Sequence, residues 1–297
     1  MQLDRTTIAI RERGLLDTLD LSLHVVRAYA RPLLGTMAMG VVPLMLINEL
    51  LLNWMMGTAD AEWEFPFRFV WHMTILVFLQ APLASMFATW YLGQAVFLER
   101  PRWHDIARGV WGMAPQLALC QLIVRGVGAA WLLEVALDRY RDFDPWLEGF
   151  ALFALFLVAA GLRAFRPFLN EIILLERNPL TSRNARVITI GRRSTALHGA
   201  NSGDLIARWL GAALIGVSLF LACYGTCLFA SGVFLNDWSQ STWMVRFCLP
   251  LSMWMVVGYL TVFRFLSYLD VRIRQEGWEV DLRLRAEARR LRDENSE

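Results

Sequence analysis

Two long stretches of this chain contain no Asp, Glu, Arg or Lys: Phe69–Leu98 and Leu210–Leu235. Crossing roughly 30 Å of hydrocarbon takes about 20 apolar residues, so each run is long enough to span a bilayer. In lipid every backbone amide must be paired within its own segment, which leaves only helices or a closed barrel. The runs lack the alternation of barrel strands and exceed their length of about ten residues. The expected fold is therefore all-α, a polytopic transmembrane helical bundle. Six spans are expected, near residues 33–55, 68–97, 110–133, 147–175, 204–234 and 244–268. That divides the chain into an N-terminal cytoplasmic segment (1–32), a membrane domain (33–268) and a basic C-terminal helix and tail (269–297). The fourth span is the least regular. Its uncharged part, Gly149–Leu162, runs on through Arg163, Arg166 and Pro167 to Glu171. The helix is expected to kink at Pro167 and leave the membrane there, its long Arg side chains reaching toward headgroups.

Orientation follows from the arginines. All 29 basic residues are Arg, and 24 of them fall on one side of the six-span arrangement. The other side holds only Arg68, Arg139, Arg141 and Arg246, with Arg125 left inside the third span. The positive-inside rule then places both termini in the cytoplasm. The outer segments Ala59–Glu64 and Asp138–Asp144 are acid-rich. Trp54, Trp63, Trp71, Trp131, Trp146, Trp238 and Trp243 gather near the outer ends, as an interfacial aromatic belt would. Because topology accounts for the arginines, a net charge of +2 gives no ground for a nucleic-acid partner. Residues 1–13 are polar and charged, so the first span is expected to direct insertion itself.

The flanking segments carry their own pattern. Residues 14–31 place Leu15, Leu19, Leu23 and Val26 on one helical face, with Asp17, Asp20 and Arg27 largely on the other. This predicts an interfacial helix on the inner leaflet. The long basic loop 178–203 is expected to contain a second. Val280, Leu284, Ala288 and Leu291 would line one face of a C-terminal helix. Arg-rich, partly apolar faces beside a membrane point to anionic lipid headgroups, with a soluble protein partner as the rival. Candidate contacts are Arg177, Arg192, Arg193, Arg272 and Arg274. A short internal echo is also present. Span two ends in Phe97-Leu98-Glu99-Arg100-Pro101 and span four in Leu174-Leu175-Glu176-Arg177-Asn178-Pro179, which suggests a parallel repeat of about 77 residues.

Several of these flanks resemble a known family. Leu15-Leu16-Asp17 with Leu21, Arg27 and Pro32-Leu33 looks like the entry of bacterial glycerophosphoryl diester phosphodiesterase membrane-domain proteins. The run Glu171-Ile172-Ile173-Leu174-Leu175-Glu176-Arg177 is similar to that family's acidic, aliphatic, Leu-Glu-Arg stretch. Arg193-Ser194 with Leu197 and Gly199 resembles its following cytoplasmic helix, and Tyr268–Gly277 its exit from the last span. The resemblance implies an all-helical membrane domain, often without an attached enzyme. The phosphodiesterase itself would need a further barrel domain of roughly 250 residues, for which the chain has no room outside its spans.

The usual chemistries leave no trace in the motifs. His24, His72, His104 and His198 are scattered, and no HExxH, GxSxG, Walker A, GxGxxG or CxxC pattern occurs. No catalytic residue, cofactor or metal site is expected. His104-Asp105 reads as a solvated loop, and the charge of Arg192-Arg193-Ser194 is explained by topology. Cys120, Cys223, Cys227 and Cys248 all lie inside spans and read as buried structural thiols. Charges within the membrane are costly and so stand out. Glu49, near Asn48 and Asn53, and Arg125, one turn after Gln121, fall at similar depth in spans one and three. They are expected to form an ion pair, as a structural clasp in preference to a transport site. The reading favoured by the sequence is a non-catalytic integral inner-membrane protein, a subunit or scaffold contacting lipid headgroups or a soluble partner. The alternative is a transporter or lipid-handling permease with Glu49 and Arg125 in its pathway.

Overall fold

The computed structural model describes residues 13–56, 65–96, 101–120, 127–138, 144–182, 184, 187–199 and 202–277. Among them there are twelve α-helices and no strand. In chain order these are α1 (Leu15–Ala28), α2 (Ala30–Met56), α3 (Phe67–Ala84), α4 (Met86–Ala95), α5 (Trp103–Trp111) and α6 (Ala114–Ala118). There follow α7 (Val127–Asp138), α8 (Pro145–Phe165), α9 (Leu169–Glu176), α10 (Ile190–Gly199), α11 (Ser202–Leu235) and α12 (Leu249–Glu276), the last preceded by a π-helical turn at Met244–Cys248. Arg125, Arg139, Arg141, Trp63, the Glu99-Arg100 half of the internal echo and the expected helix through Val280–Leu291 lie outside the described residues.

Five segments are long and apolar enough to cross a membrane: α2, α3 with α4, α8, α11, and the π-turn with α12. The chain thus has the build of an all-α membrane protein. The α3–α4 segment is the centre of the bundle, 83% buried, whereas α11 is 11% buried. Leu46 and Leu50 of α2, Phe150 and Phe153 of α8, and Leu214 and Leu221 of α11 all point outward. A belt of exposed leucine and phenylalanine on that scale suits hydrocarbon rather than water. Backbones meet most closely where α2 crosses the central segment. A Cβ on Gly40 would come within 2.1 Å of the Ala84 carbonyl oxygen, so only glycine permits this crossing.

The stretch expected as a third span, 110–133, is not one helix in the described residues. It begins inside α5, turns at Gly112 and Met113, and resumes as the short α6, with Pro115 in its first turn. Gly112 and Pro115 are the physical reason: one lowers helix propensity and the other withholds a backbone donor. α5 instead buries Ile106 and Val110 and leaves Trp103 and Trp111 exposed.

Two of the long segments are broken at matching places. α3 gives way to α4 at Ser85, three residues after Pro82, and α8 gives way to α9 across Arg166–Phe168, around Pro167. The expected kink at Pro167 is present. Beyond it Leu169–Leu174 of α9 are all buried, packed toward α4. Each break is followed by a short buried helix, and then by a short helix outside the long segments, α5 in one case and α10 in the other.

The segment 14–31 is helical as α1 but does not rest on lipid alone. Thr18, Leu19, Ser22 and Val25 are buried in the protein, while Leu16 and Leu23 are exposed. Leu19 joins Ala212 of α11 and Phe263 of α12 in one apolar cluster. The face read as lipid-contacting is therefore shared, with Leu19 turned into the bundle and Leu23 turned out.

Candidate functional site

A cavity of about 200 Å³ opens between the two broken helices and the α11–α12 pair. Its apolar wall comes from Phe78 of α3, Ala213 of α11, and Val257 and Leu260 of α12. Three arginines share the lining: Arg163 at the end of α8, Arg208 in the second turn of α11, and Arg264 of α12. Among the described residues no carboxylate lines it.

The breaks create the polar environment that these arginines occupy. Proline removes a donor and leaves carbonyls without helical partners, and buried carbonyls must be satisfied some other way. Arg163 donates through Nη2 to the Leu79 carbonyl at 3.1 Å while its guanidinium lies 4.0 Å over the Phe78 ring. The Pro82 carbonyl accepts from Ser85 Oγ at 3.2 Å and from Asn170 Nδ2 at 3.0 Å, which binds the two breaks together. Arg264 spans both: its Nε donates to Glu171 Oε1 at 2.7 Å and its Nη2 to Ser85 Oγ at 3.2 Å. Glu171 is fully buried.

Behind Arg208 lies a second buried acid. Asp270 Oδ2 accepts from Arg208 Nη2 at 2.8 Å and from Arg274 Nη2 at 2.5 Å, and its Oδ1 accepts from the Arg13 backbone N–H at 2.8 Å. One carboxylate thus fastens the N-terminal segment, α11 and α12 together. Further out, Glu176 at the end of α9 accepts from Arg193 Nε at 2.6 Å and from the Tyr268 hydroxyl at 2.8 Å. Arg193 also reaches Glu276 at 2.5 Å. The Glu176 carboxylate holds the Arg193 guanidinium above its ordinary pKa. Buried Ser194 and His198 share a hydrogen bond on α10, and His198 Nε2 accepts from the Phe168 N–H at 3.3 Å.

At the opposite end of the bundle two polar clusters cross the helices. Glu148 of α8 accepts from Arg68 Nε and lies against His72 Nε2, both at 3.0 Å, and all three side chains are buried. Trp54 packs under the Arg68 guanidinium and Trp131 edges onto His72, so these two tryptophans serve the interior. Trp146, Trp238 and Trp243 remain exposed, as a belt requires. The second cluster contains Glu49. Its carboxylate pairs with Arg246 in the π-turn, whose Nη2 also donates to Asn53 Oδ1 at 2.5 Å. Glu49 therefore has a partner from the last span, and Arg125, the partner expected from sequence, is outside the described residues.

Of the five arginines singled out for headgroup or partner contact, Arg193, Arg272 and Arg274 are committed to internal carboxylates. Arg177, in the left-handed conformation that ends α9, and Arg192 are exposed. Of the residues the cavity brings together, Arg208 and Arg264 read in the sequence only as topology signals, and Arg163 as a side chain reaching toward headgroups. The available hint was their position, since each falls at the boundary of an apolar run where a charge must be paired or reach water. Cys120 and Cys248 are buried and Cys223 and Cys227 half-buried, all four as free thiols. Among the described residues no three His, Cys, Asp or Glu side chains converge as metal ligands would. No family model, curated protein or solved structure matches the chain.

Proposed function

We propose that this chain is a non-catalytic integral protein of a bacterial cytoplasmic membrane, a scaffold or assembly subunit whose arginine-rich end engages anionic lipid headgroups. The observation that carries the reading is the use of charge at that end. The buried acids Glu171 and Asp270 are taken up by arginines that tie helices together. Further arginines, among them Arg27, Arg31, Arg102 and Arg177, stay on the surface around the same end. Surface arginines beside a membrane contribute about 1 kcal/mol each toward an anionic leaflet. The carboxylates there already hold structural ion pairs, which supports a binding and organising role over general acid–base chemistry. The resemblance to phosphodiesterase membrane domains fits this reading, since Glu171, Glu176, Arg193 and Asp270, on which it partly rests, each take part in an ion pair between segments there.

One observation favours the lipid-handling permease as a second reading. Discontinuous helices flanking a cavity are a common way to build a substrate site inside a membrane, and both breaks here border one. Reconstitution distinguishes the two. A scaffold retains anionic lipid and leaves its distribution between leaflets unchanged, whereas a permease equilibrates labelled lipid across vesicles that contain it. Loss of all preference for anionic over zwitterionic lipid in the reconstituted protein would remove the basis of both.

A further inference from the structure

Resting on the membrane-spanning part of that reading, and not on its headgroup contacts, we infer that the cavity between the helix breaks is a site for one acyl chain of a bilayer lipid, held by its hydrocarbon whatever the charge of its headgroup. The polar side chains of the lining are committed inside the protein. Arg264 is neutralised by Glu171, and Arg208 by Asp204 and Asp270. Arg163 bonds the Leu79 carbonyl and covers the Phe78 ring. Asn170 gives its amide to the Pro82 carbonyl, and Thr261 returns its hydroxyl to the Val257 carbonyl at 2.7 Å. Arg208 Nη1 and the Ser267 hydroxyl are sealed within the protein and do not face the opening. An anion entering here would give up its water while the guanidinium groups kept the partners they have. What the cavity offers a ligand is carbon.

The occupant follows from size, opening and depth. An apolar hole of about 150 Å³ stays dry and takes up nonpolar molecules, so about 200 Å³ is room for hydrocarbon. The wall residues Phe78, Ala213, Val257 and Leu260 are only half-buried. Beside them Leu210 and Leu214 of α11 and Leu162 and Phe165 of α8 are exposed. The cavity is therefore continuous with the apolar belt that faces the bilayer, and what fills it comes from there. Ala213 stands eleven residues beyond Ser202, the first of α11, about 16 Å at 1.5 Å per residue. In a hydrocarbon layer roughly 30 Å thick, that is the depth of acyl chains and not of headgroups. The cavity is smaller than the roughly 300–1,000 Å³ of pockets that engulf a whole small molecule. It takes part of one chain, and the rest of the lipid stays in the bilayer.

The test reconstitutes the full chain into phosphatidylcholine vesicles that carry a trace of phosphatidylcholine with a photoactivatable diazirine on one acyl chain. Adducts are located by peptide mass spectrometry. α3 exposes no large apolar side chain among the described residues, so adducts around Phe78 report the cavity. Adducts at the exposed Phe150 and Phe153 of α8 report bulk lipid. Both sets are expected. Phosphatidylglycerol with the same labelled chain should give the Phe78 adduct in a yield within about twofold, and soluble glycerophosphate should not compete. Ala213→Leu and Ala81→Leu fill the cavity from α11 and α3 without touching an ion pair. Each should lower the Phe78 adduct about tenfold while the α8 adducts and the circular dichroism spectrum are kept. Should one of them fail to fold, the other decides. An unchanged Phe78 adduct in a folded variant overturns the proposal, as does a yield that follows headgroup charge. Adducts on α8 alone overturn this inference and leave the scaffold reading standing. Adducts at neither place overturn the membrane-spanning reading with it.

Discussion

Replacing Asp270 by Asn keeps the shape of the side chain and removes the charge that three segments share. The present carboxylate accepts from the Arg13 N–H on one oxygen and from Arg208 and Arg274 on the other. An amide can offer only one oxygen. Its nitrogen must then face either the Arg13 N–H or two guanidinium groups, donor against donor in both cases. Asp270 is 1% exposed and the Arg208 side chain 5%, so neither can recover the loss by turning to water. Removing one partner of such a buried pair costs about 3–5 kcal/mol. Arg208 keeps Asp204 at 2.9 Å, which argues for the lower end, about 3 kcal/mol. Asp204→Asn removes the other carboxylate from the same arginine and is the internal control. Asp204 is 47% exposed, so its loss should cost about 1 kcal/mol or less. Unfolding in mixed detergent–SDS micelles, followed by tryptophan fluorescence and far-ultraviolet dichroism, measures both. Equal losses for the two variants, or a loss under about 1 kcal/mol for Asp270→Asn, would refute the view that this carboxylate is the junction of the bundle's arginine-rich end.

Other expectations are narrower. Gly40→Ala should destabilise by about 1–3 kcal/mol or more by forcing α2 away from Ala84, whereas Gly112→Ala, with open space around its Cβ position, should be nearly neutral in the same assay. Glu49→Gln and Arg246→Gln should be non-additive by about 1 kcal/mol in a double-mutant cycle. Leu19→Ala should cost about 2–3 kcal/mol because Leu19 is buried against α11 and α12, and Leu16→Ala, at an exposed position, about 0.5 kcal/mol or less.

The architecture was legible because hydrocarbon imposes a coarse rule that local detail cannot override. Uncharged runs of sufficient length become helices, and α2, α3–α4, α8, α11 and α12 all obey it. The failures arose where one residue decides. Near the start of 110–133 the composition is that of a span, yet the helix is interrupted at Gly112 and Met113, ahead of Pro115. At Pro167 the kink was visible, but the burial of α9 was not, because Asn170 and Glu171 look like residues heading for water. Their partners, the Pro82 carbonyl and Arg264, are 88 and 93 positions away in the chain. That Arg246 reaches Glu49 was not legible either, because the π-turn that carries it has no simple periodicity. The cavity was least legible of all, since it is assembled from the ends of α3, α8, α11 and α12, and each arginine lining it already had a sufficient explanation in topology.

The placement of the arginine-rich end is the claim on which the lipid reading depends, and single-cysteine labelling in cells tests it directly. In a background with Cys120, Cys223, Cys227 and Cys248 replaced, Ala196→Cys on α10 and Ser239→Cys between α11 and the π-turn offer exposed probes at the two ends. An impermeant maleimide applied to intact bacterial spheroplasts should modify Cys introduced at 239 at once, and Cys introduced at 196 only after the membrane is permeabilised. Labelling at 196 in intact spheroplasts, with protection at 239, would place the arginines on the outer face and contradict the account.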